Sequence, residues 1–356
     1  MKRLLGILFC LAILSNLIAA QIIPSKTYLI KNPKPNMKER YTPLKLVKII
    51  GPEIGPNVFL YDPRSLTFDR RGNLYIFDRA YGKIVKLDNN LKFVRFIGNE
   101  GHGPGEFPQG RSEVFIHVGP NQKLYANDTM AKKLTVFDLE GRYLADYPLL
   151  GNLLQKPTVD KNGNIYFFSG NDRALKAVNQ NGETIWRVPL NSKEVYSFLF
   201  QKQYLHQKKL SRFFIHSYLQ PDHVLLYFAN SSTMLNVKNN KIARKYRILP
   251  EELLQDYRTS IEKISKKNKY FCFQLFSSIV PDQDNEGIYY LPFVSNETMN
   301  RSLLYKMNLK GELLETLYVD YKKNPTYTWF EAKKDGLYYA NITGKQAIGI
   351  FKEETK

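Results

Sequence analysis

Charged residues that could bind or activate a ligand stand just before, or at the start of, several short apolar segments of this sequence. Glu113 is the one carboxylate among them, and it could act as a general acid or base while nearby cations stabilise a developing anion. The cations alone predict a different chemistry, because arginine binds carboxylate or sulfate groups through two parallel hydrogen bonds. These candidate ligand-binding residues are Arg64, Arg111, Glu113, Lys156 and Arg212, with Gln274 and Tyr327 at matching positions.

Metal and cofactor chemistry has little support in the residue types. A calcium or magnesium site needs several converging oxygen ligands, and Glu113 is the only carboxylate in the candidate set. The five histidines lack the paired spacing of zinc ligands, although distant segments could bring three together. His117 and His216 are expected at equivalent positions late in two strands. The glycine-rich run 101–105 does not open a helix, so it does not predict a nucleotide site. We therefore expect no metal and no cofactor.

An internal repeat supplies the elements that must position these residues. Its clearest copy, residues 65–98, contains four short segments with the alternation of β-strands, separated by polar or glycine-containing turns. Each copy places such a turn before a strand that pairs an aliphatic residue with tyrosine. The six copies span residues 65–98, 113–147, 160–183, 221–248, 284–312 and 334–351. This pattern predicts an all-β fold, a six-bladed β-propeller of four-stranded antiparallel blades.

The sixth copy ends after three strands and would leave a sheet edge exposed. Residues 44–51 closely match residues 91–98, which form the outer strand of the first copy. A strand of that type ahead of the first blade can complete the last blade and close the ring. We therefore predict a propeller over residues 44–354, preceded by an N-terminal extension over residues 21–43.

The sequence resembles NHL-repeat propellers, and in particular the six-bladed propellers found as exported bacterial proteins. The run from Phe96 to Phe107 carries the resemblance, with the Asp-x-x-Gly-Asn-Leu-Tyr turn that begins at Asp69 and the basic-aliphatic run after Lys83. In a propeller, the loops between blades and the turns between second and third strands share one face around the central channel. That face, here called the loop face, is the expected position of a ligand.

A basic residue also recurs near the start of the third strand of most copies. The repeat itself favours a turn residue that hydrogen-bonds nearby carbonyl groups, whereas a functional interpretation would be an anion-binding ring. These residues are Lys83, Lys133, Arg173, Arg301 and Lys345.

One segment departs from the strand pattern. Residues 250–267 start with proline and two acidic residues and end in lysines. One stripe of this segment is apolar and contains Leu253, Leu254, Tyr257, Ile261 and Ile264. This pattern predicts an amphipathic helix inserted between blades four and five. Packing on the rim of the propeller is the favoured interpretation, and contact with a membrane surface is the alternative.

The N-terminal residues predict export. Met1-Lys2-Arg3 and the apolar run from Leu4 to Leu14 form a signal peptide with an expected cut after Ala20. Acylation of Cys10 in a lipoprotein signal is the minority alternative. Removal of residues 1–20 leaves Cys272 as the single cysteine, so no intramolecular disulfide is expected. The predicted location is the periplasm or cell surface of a bacterium.

The chain is strongly basic, with 52 Lys and Arg against 33 Asp and Glu and a formal net charge of +19. Such a charge favours anionic partners, although ordinary solubility would also account for it. Export argues against nucleic acid. We therefore predict a monomeric binding or scaffold protein that recognises an anionic glycan, peptide or protein through its loop face. The alternative is a hydrolase or lyase with its site at the central channel and Glu113 as its catalytic residue.

Overall fold

The fold was analysed in a computed structural model. The structure describes residues 28–29, 41–110, 113–148, 156, 158–169, 174–189, 215–220, 223–228, 233–238, 241–247, 279–293, 301–320, 328–342 and 346–354. The strands in these ranges form six blades, and the described residues include no helix. Nor do they include any helix long and apolar enough to cross a membrane. The helix predicted at 250–267 and the signal predicted at 1–20 both lie outside these ranges.

Blades one to three each contain four antiparallel strands in chain order, from the inner strand at the channel to the outer strand at the rim. Blade one consists of Pro63–Phe68, Leu74–Asp78, Lys83–Leu87 and Phe93–Ile97. Blade two consists of Val114–Val118, Lys123–Asp128, Lys133–Asp138 and Tyr143–Pro148. Blade three consists of Thr158–Val159, Ile165–Ser169, Ala174–Val178 and Thr184–Pro189.

Blades four and five follow the same order. Blade four consists of Ile215–Gln220, His223–Phe228, Thr233–Lys238 and Lys241–Arg247. A fifth strand, Tyr28–Leu29, pairs in parallel with its outer strand, which the sequence did not predict. Blade five consists of Val280–Pro281, Ile288–Phe293, Arg301–Asn308 and Leu313–Asp320.

Blade six combines the two ends of the propeller, as the sequence predicted. It consists of Thr328–Lys334, Leu337–Ile342, Ala347–Glu353 and the N-terminal strand Tyr41–Ile50. The N-terminal strand runs antiparallel to the last strand, with Leu44 opposite Glu353 and Ile50 opposite Ile348. Its first three residues, 41–43, also pair in parallel with residues 316–318 of blade five, so this strand ties two blades together. The ring is therefore closed by hydrogen bonds.

Two short pairs of strands lie between the blades. Glu53–Gly55 and Val58–Phe59 form a hairpin ahead of blade one. Asn99–Glu100 pairs in parallel with Glu106–Phe107 between blades one and two. The second pair brings the chain from the outer strand of one blade to the inner strand of the next. Gly98 has a φ of 74°, and a Cβ there would lie 2.7 Å from the Phe107 ring, so both conformation and space require glycine.

A carboxylate organises the turn after the inner strand in several blades. In blade one, Asp69 accepts hydrogen bonds from the backbone N–H groups of Arg71 and Asn73 and from the hydroxyl of Tyr75. Asp160 accepts the equivalent set in blade three. In blade five, Asp282 accepts hydrogen bonds from the N–H groups of Asp284 and Asn285 and from the hydroxyl of Tyr290. The repeated polar turn and the tyrosine of the following strand therefore form one local unit.

The apolar core lies between neighbouring blades. The cluster between blades six and one contains Ile50, Leu66 and Ile348, all buried, so residues from both ends of the propeller pack together. Ile49, the neighbour of Ile50, points to the opposite side of the same strand and is 42% exposed. This alternation follows from the two-residue period of a strand.

We expect Ile50→Ala to destabilise the protein by about 2–4 kcal/mol, because it removes buried side-chain volume at the closing seam. Ile49→Ala is the matched control, and its cost should stay within about 0.5 kcal/mol. Chemical denaturation of both variants measures the difference. Equal losses of stability would contradict the assigned register of the closing strand.

Candidate functional site

Three of the five predicted ligand-binding residues lie in the described part of the chain, and all three stand at inner strands. Arg64 is the second residue of the inner strand of blade one. Glu113 directly precedes the inner strand of blade two, and Lys156 precedes that of blade three by two residues. Arg111 and Arg212 lie outside the described residues, as do Gln274 and Tyr327. The strand starts therefore bring Arg64, Glu113 and Lys156 to the same end of the channel, although they do not contact one another through any hydrogen bond in the described set.

Lys156 spans the channel. Its Nζ donates hydrogen bonds of 3.0 Å to the backbone carbonyls of Leu66 in blade one and Glu331 in blade six. The same Nζ lies 2.7 Å from Oε2 of the Glu331 carboxylate, and the two side chains are only 18% and 11% exposed. Lys156 therefore joins three blades across the centre of the ring. It is engaged by the protein and does not present a free cation to a ligand.

Burial perturbs the ionisable groups beside Lys156. It raises the pKa of Glu331, and the positive charge of Lys156 opposes this increase without cancelling it. Burial also lowers the pKa of His117 to about 4, and Lys156 acts in the same direction. His117 keeps some accessible surface because it faces the narrow channel, although protein surrounds it. At neutral pH the channel therefore contains a neutral histidine next to a lysine whose charge a carboxylate balances.

Side chains also satisfy the free inner edges of the blades. Ser65 Oγ accepts a hydrogen bond from the Ile116 backbone N–H, and Thr67 Oγ1 accepts one from Val118, both at 3.1 Å. These bonds connect the inner strands of blades one and two, whereas Lys156 connects blade three to blades one and six. Side-chain hydrogen bonds in the channel thus connect the inner strands of different blades.

Arg64 has an acidic partner at the loop face. Its Nε lies 2.8 Å from Asp62, and the Nε of Arg79 lies 2.7 Å from the other oxygen of the same carboxylate. Arg64 is nevertheless 46% exposed at its side chain, so it remains accessible from solvent. Glu113 is also exposed, and its backbone carbonyl accepts hydrogen bonds from the N–H and hydroxyl of Thr129. Arg64 and Glu113 stand at the start of inner strands, where the repeat predicts them. Asp62 and Arg79 were not identified from the sequence as neighbours of Arg64.

One buried carboxylate fixes the backbone around Asp62. The Asp78 side chain accepts hydrogen bonds from the backbone N–H groups of Tyr61, Asp62 and Ala80, at 2.7 to 3.2 Å, and a longer one from Tyr81. Burial raises the pKa of Asp78, whereas these four N–H groups oppose the increase. Asp78 therefore holds the entry of the inner strand and the turn after the second strand in one arrangement.

Four aromatic rings stand on or beside this fixed backbone, and Tyr61 is the exposed one among them. The rings of Tyr61 and Tyr81 lie 5.1 Å apart, and the rings of Tyr81 and Phe96 are also 5.1 Å apart. Phe59 continues the row at 6.4 Å from Tyr61. We call these four residues the aromatic shelf. Tyr61 is 46% exposed, and the other three rings are partly buried.

The basic residues at the start of the third strands have local partners where the structure describes them. Lys133 Nζ donates to the Gly103 carbonyl at 2.7 Å and lies 3.5 Å from Asp146. Lys83 Nζ lies 5.7 Å from the centre of the Phe96 ring. The contact of Lys133 fits the interpretation as a turn residue. Arg173, Lys345 and the side chain of Arg301 lie outside the described set.

The expected equivalence of His117 and His216 is wrong. His117 pairs with Tyr125 near the end of its inner strand, whereas His216 is the second residue of its strand and pairs with Tyr227. His117 is the fourth of five residues in its strand, so the two histidines do not occupy matching positions. In the residues covered by the structure, no group of three or more His, Cys, Asp or Glu could hold a metal ion.

We expect Lys156→Met to destabilise the protein by about 3 kcal/mol at pH 7, because the buried Glu331 carboxylate loses its counter-charge. The double variant Lys156→Met with Glu331→Gln should recover about half of this loss. Lys161→Met, at an exposed lysine in the same blade, is the control and should be close to neutral. Denaturation midpoints measure all three. A double variant no more stable than Lys156→Met would show that the ion pair is not the source of the effect.

The depressed pKa of His117 predicts a pH dependence. The unfolded histidine takes up a proton below about pH 6.5, whereas the folded one does so only near pH 4, so stability present above pH 6.5 is lost as pH falls towards 4. The raised pKa of Glu331 gives the opposite slope. Comparison with His117→Gln isolates the histidine, and the stability difference should shrink by about 1–2 kcal/mol between pH 7 and 4.5. A difference independent of pH would contradict the assignment.

Comparison with known proteins agrees with the architecture. A search of curated proteins gave no match. A Bacteroides fragilis protein inferred to be exported is similar over 88% of this chain and 96% of its own, at 13% identity and a TM-score of 0.56. A Bacteroides vulgatus protein is similar over 90% of this chain and 100% of its own, at 13% identity and a TM-score of 0.55.

A streptogramin B lyase is similar over 88% of each chain at 16% identity, but its TM-score of 0.47 carries no argument about activity. At these identities the likenesses show the fold alone. The sequence itself gives the family, because residues 62–343 match the model of a family described as 6-bladed beta-propeller. That match extends over most of the sequence, so the chain belongs to this six-bladed β-propeller family.

Proposed function

We propose that this chain is an exported binding protein that recognises an anionic glycan, peptide or protein through its loop face. The observation that carries the proposal is the aromatic shelf of blade one with Arg64 and Arg79 beside it. Exposed aromatic rings and arginines are the residue types that most often provide binding energy at protein surfaces. The ion pair of Lys156 and Glu331 lies across the channel, which favours a ligand at the loop face over one inside the channel.

The charge of the chain supports an anionic ligand. The formal net charge of +19 attracts anions at long range and speeds their association. The Glu331 carboxylate balances Lys156 inside the channel, whereas the Arg64 side chain is 46% exposed, which supports a ligand at the outer surface. A membrane surface is a further anionic partner that this charge would suit. Nucleic acid is not proposed as a partner, because the protein is proposed to leave the cytoplasm. We propose a monomer, since the closed ring leaves no blade incomplete.

Export to the periplasm or cell surface of a bacterium belongs to the same proposal. The basic start and the apolar run over residues 4–14 support it. The structural relative inferred to be exported is consistent with this location.

A channel enzyme is the second candidate, since the pKa values of Glu331 and His117 are displaced in opposite directions next to Lys156. Perturbed groups of this kind cluster at catalytic sites. In a hydrolase or lyase, Glu331 would serve as the acid or base and Lys156 would stabilise an anion, instead of the exposed Glu113. The hydrogen bonds of Lys156 to backbone carbonyls of blades one and six argue for a structural role of this side chain. Turnover of any ester or glycoside by the wild type, lost in Glu331→Gln, would favour the enzyme.

We expect residues 21–356 to bind acidic polymers more tightly than neutral polymers of the same backbone. Because surface charges are screened at higher ionic strength, affinity should fall about threefold to tenfold between 50 and 300 mM NaCl. Calorimetry with polygalacturonate, polyglutamate and a neutral galactan measures both effects. The absence of binding to every acidic polymer contradicts the proposal, and binding that is indifferent to salt contradicts its electrostatic part.

A further inference from the structure

The aromatic shelf presents one exposed ring to solvent. Tyr61 is 46% exposed, whereas the rings of Phe59, Tyr81 and Phe96 are partly buried. Tyr61 and Tyr81 meet edge to face at 73°, and Tyr81 meets Phe96 at 62°. Such edge-to-face contacts favour one orientation of the Tyr61 ring. The carbon-hydrogen face of a pyranose ring has the size and polarity to stack on a ring of this kind.

Paired charged groups follow Tyr61 closely in the chain. Asp62 accepts from the Nε of Arg64 at 2.8 Å and from that of Arg79 at 2.7 Å. One terminal nitrogen of Arg64 also lies 3.3 Å from Asp62. These contacts hold three planar groups in place and still leave guanidinium N–H donors and carboxylate acceptor positions available. Adjacent fixed donors and acceptors match the paired hydroxyl groups of a sugar.

We propose that the aromatic shelf is a saccharide-binding site, in which a pyranose ring stacks on Tyr61 while Asp62 and Arg64 hydrogen-bond its hydroxyl groups. The inference rests on the proposed function, and it names the class of ligand bound at the loop face. Asp78 supports the site from below, because its bonds to the N–H groups of Tyr61, Asp62 and Ala80 fix the backbone before any ligand arrives.

The charges of the shelf favour a saccharide over an acidic peptide. Asp62 offsets part of the charge of Arg64 and Arg79, so the site lacks the unopposed arginine cluster that recognition of an acidic peptide requires. Lys83 adds a further cation over the ring of Phe96. The local balance of these side chains is positive, with Arg64 and Arg79 against the single charge of Asp62. An acidic saccharide should therefore bind more tightly than a neutral one of the same length.

The test compares a galacturonic acid hexamer, a neutral galactose hexamer and a hexaglutamate peptide, each titrated into residues 21–356. We expect the acidic hexasaccharide to bind most tightly. Tyr61→Ala should weaken its binding by about tenfold, as the loss of one aromatic stacking contact implies. Tyr61→Phe keeps the ring face and should stay within about threefold of the wild type. Tyr143→Ala, at a tyrosine 43% exposed on the rim of blade two, is the matched control and should leave binding unchanged.

The outcomes separate this inference from the proposed function. Binding of the hexaglutamate peptide without either hexasaccharide would overturn the saccharide site and leave an anion-binding protein. Saccharide binding that Tyr61→Ala does not weaken would overturn this location, and equal losses in Tyr61→Ala and Tyr143→Ala would do the same. Failure of all three ligands to bind would reject the site, whereas binding of polygalacturonate or polyglutamate in the salt experiment tests the proposed function independently.

Discussion

The pairing of residues 44–50 with residues 348–353 is the constraint on which the rest of the structure depends. Each blade buries its faces against two neighbours, so an open ring would expose the core between blades six and one, where Ile50, Leu66 and Ile348 meet. Closure also removes the free edge that blade six would otherwise present. It further sets the distance across the channel, and so decides which side chains can meet at the centre.

Closing a ring of blades creates a second requirement at the centre. Every inner strand has one unpaired edge, and its N–H and C=O groups need partners where water is scarce. Ser65 and Thr67 supply acceptors, and the ammonium group of Lys156 in blade three supplies donors for carbonyl groups of blades one and six. A charge placed there needs compensation, which Glu331 provides. Within the described residues, the charge of Lys156 is therefore balanced inside the channel, whereas Arg64 at the loop face stays accessible to solvent.

Sequence periodicity predicted the fold because each copy repeats the same turn and strand signals, and because residues 44–51 match an outer strand. It also predicted Arg64 and Lys156 at the starts of inner strands. It did not reveal Glu331, which meets Lys156 across the ring from 175 positions further along the chain. A repeat defines a position within a blade but not the residue facing it across the channel. Tyr61 and Tyr81 could have been noticed in the sequence, because they are aromatic residues in connecting segments, where polar residues usually predominate.

The comparison of blades one and two separates what the fold needs from what it does not. In both blades a buried aspartate at the end of the second strand caps the N–H groups of the following turn, Asp78 in one and Asp128 in the other. Three residues later blade one has Tyr81, whereas blade two has Ala131. Both blades therefore have the aspartate that accepts these hydrogen bonds, whereas only blade one of the two has a tyrosine ring in this turn. The Tyr81 ring is partly buried and supports Tyr61, and the part of the Tyr61 ring that solvent reaches gains nothing from burial.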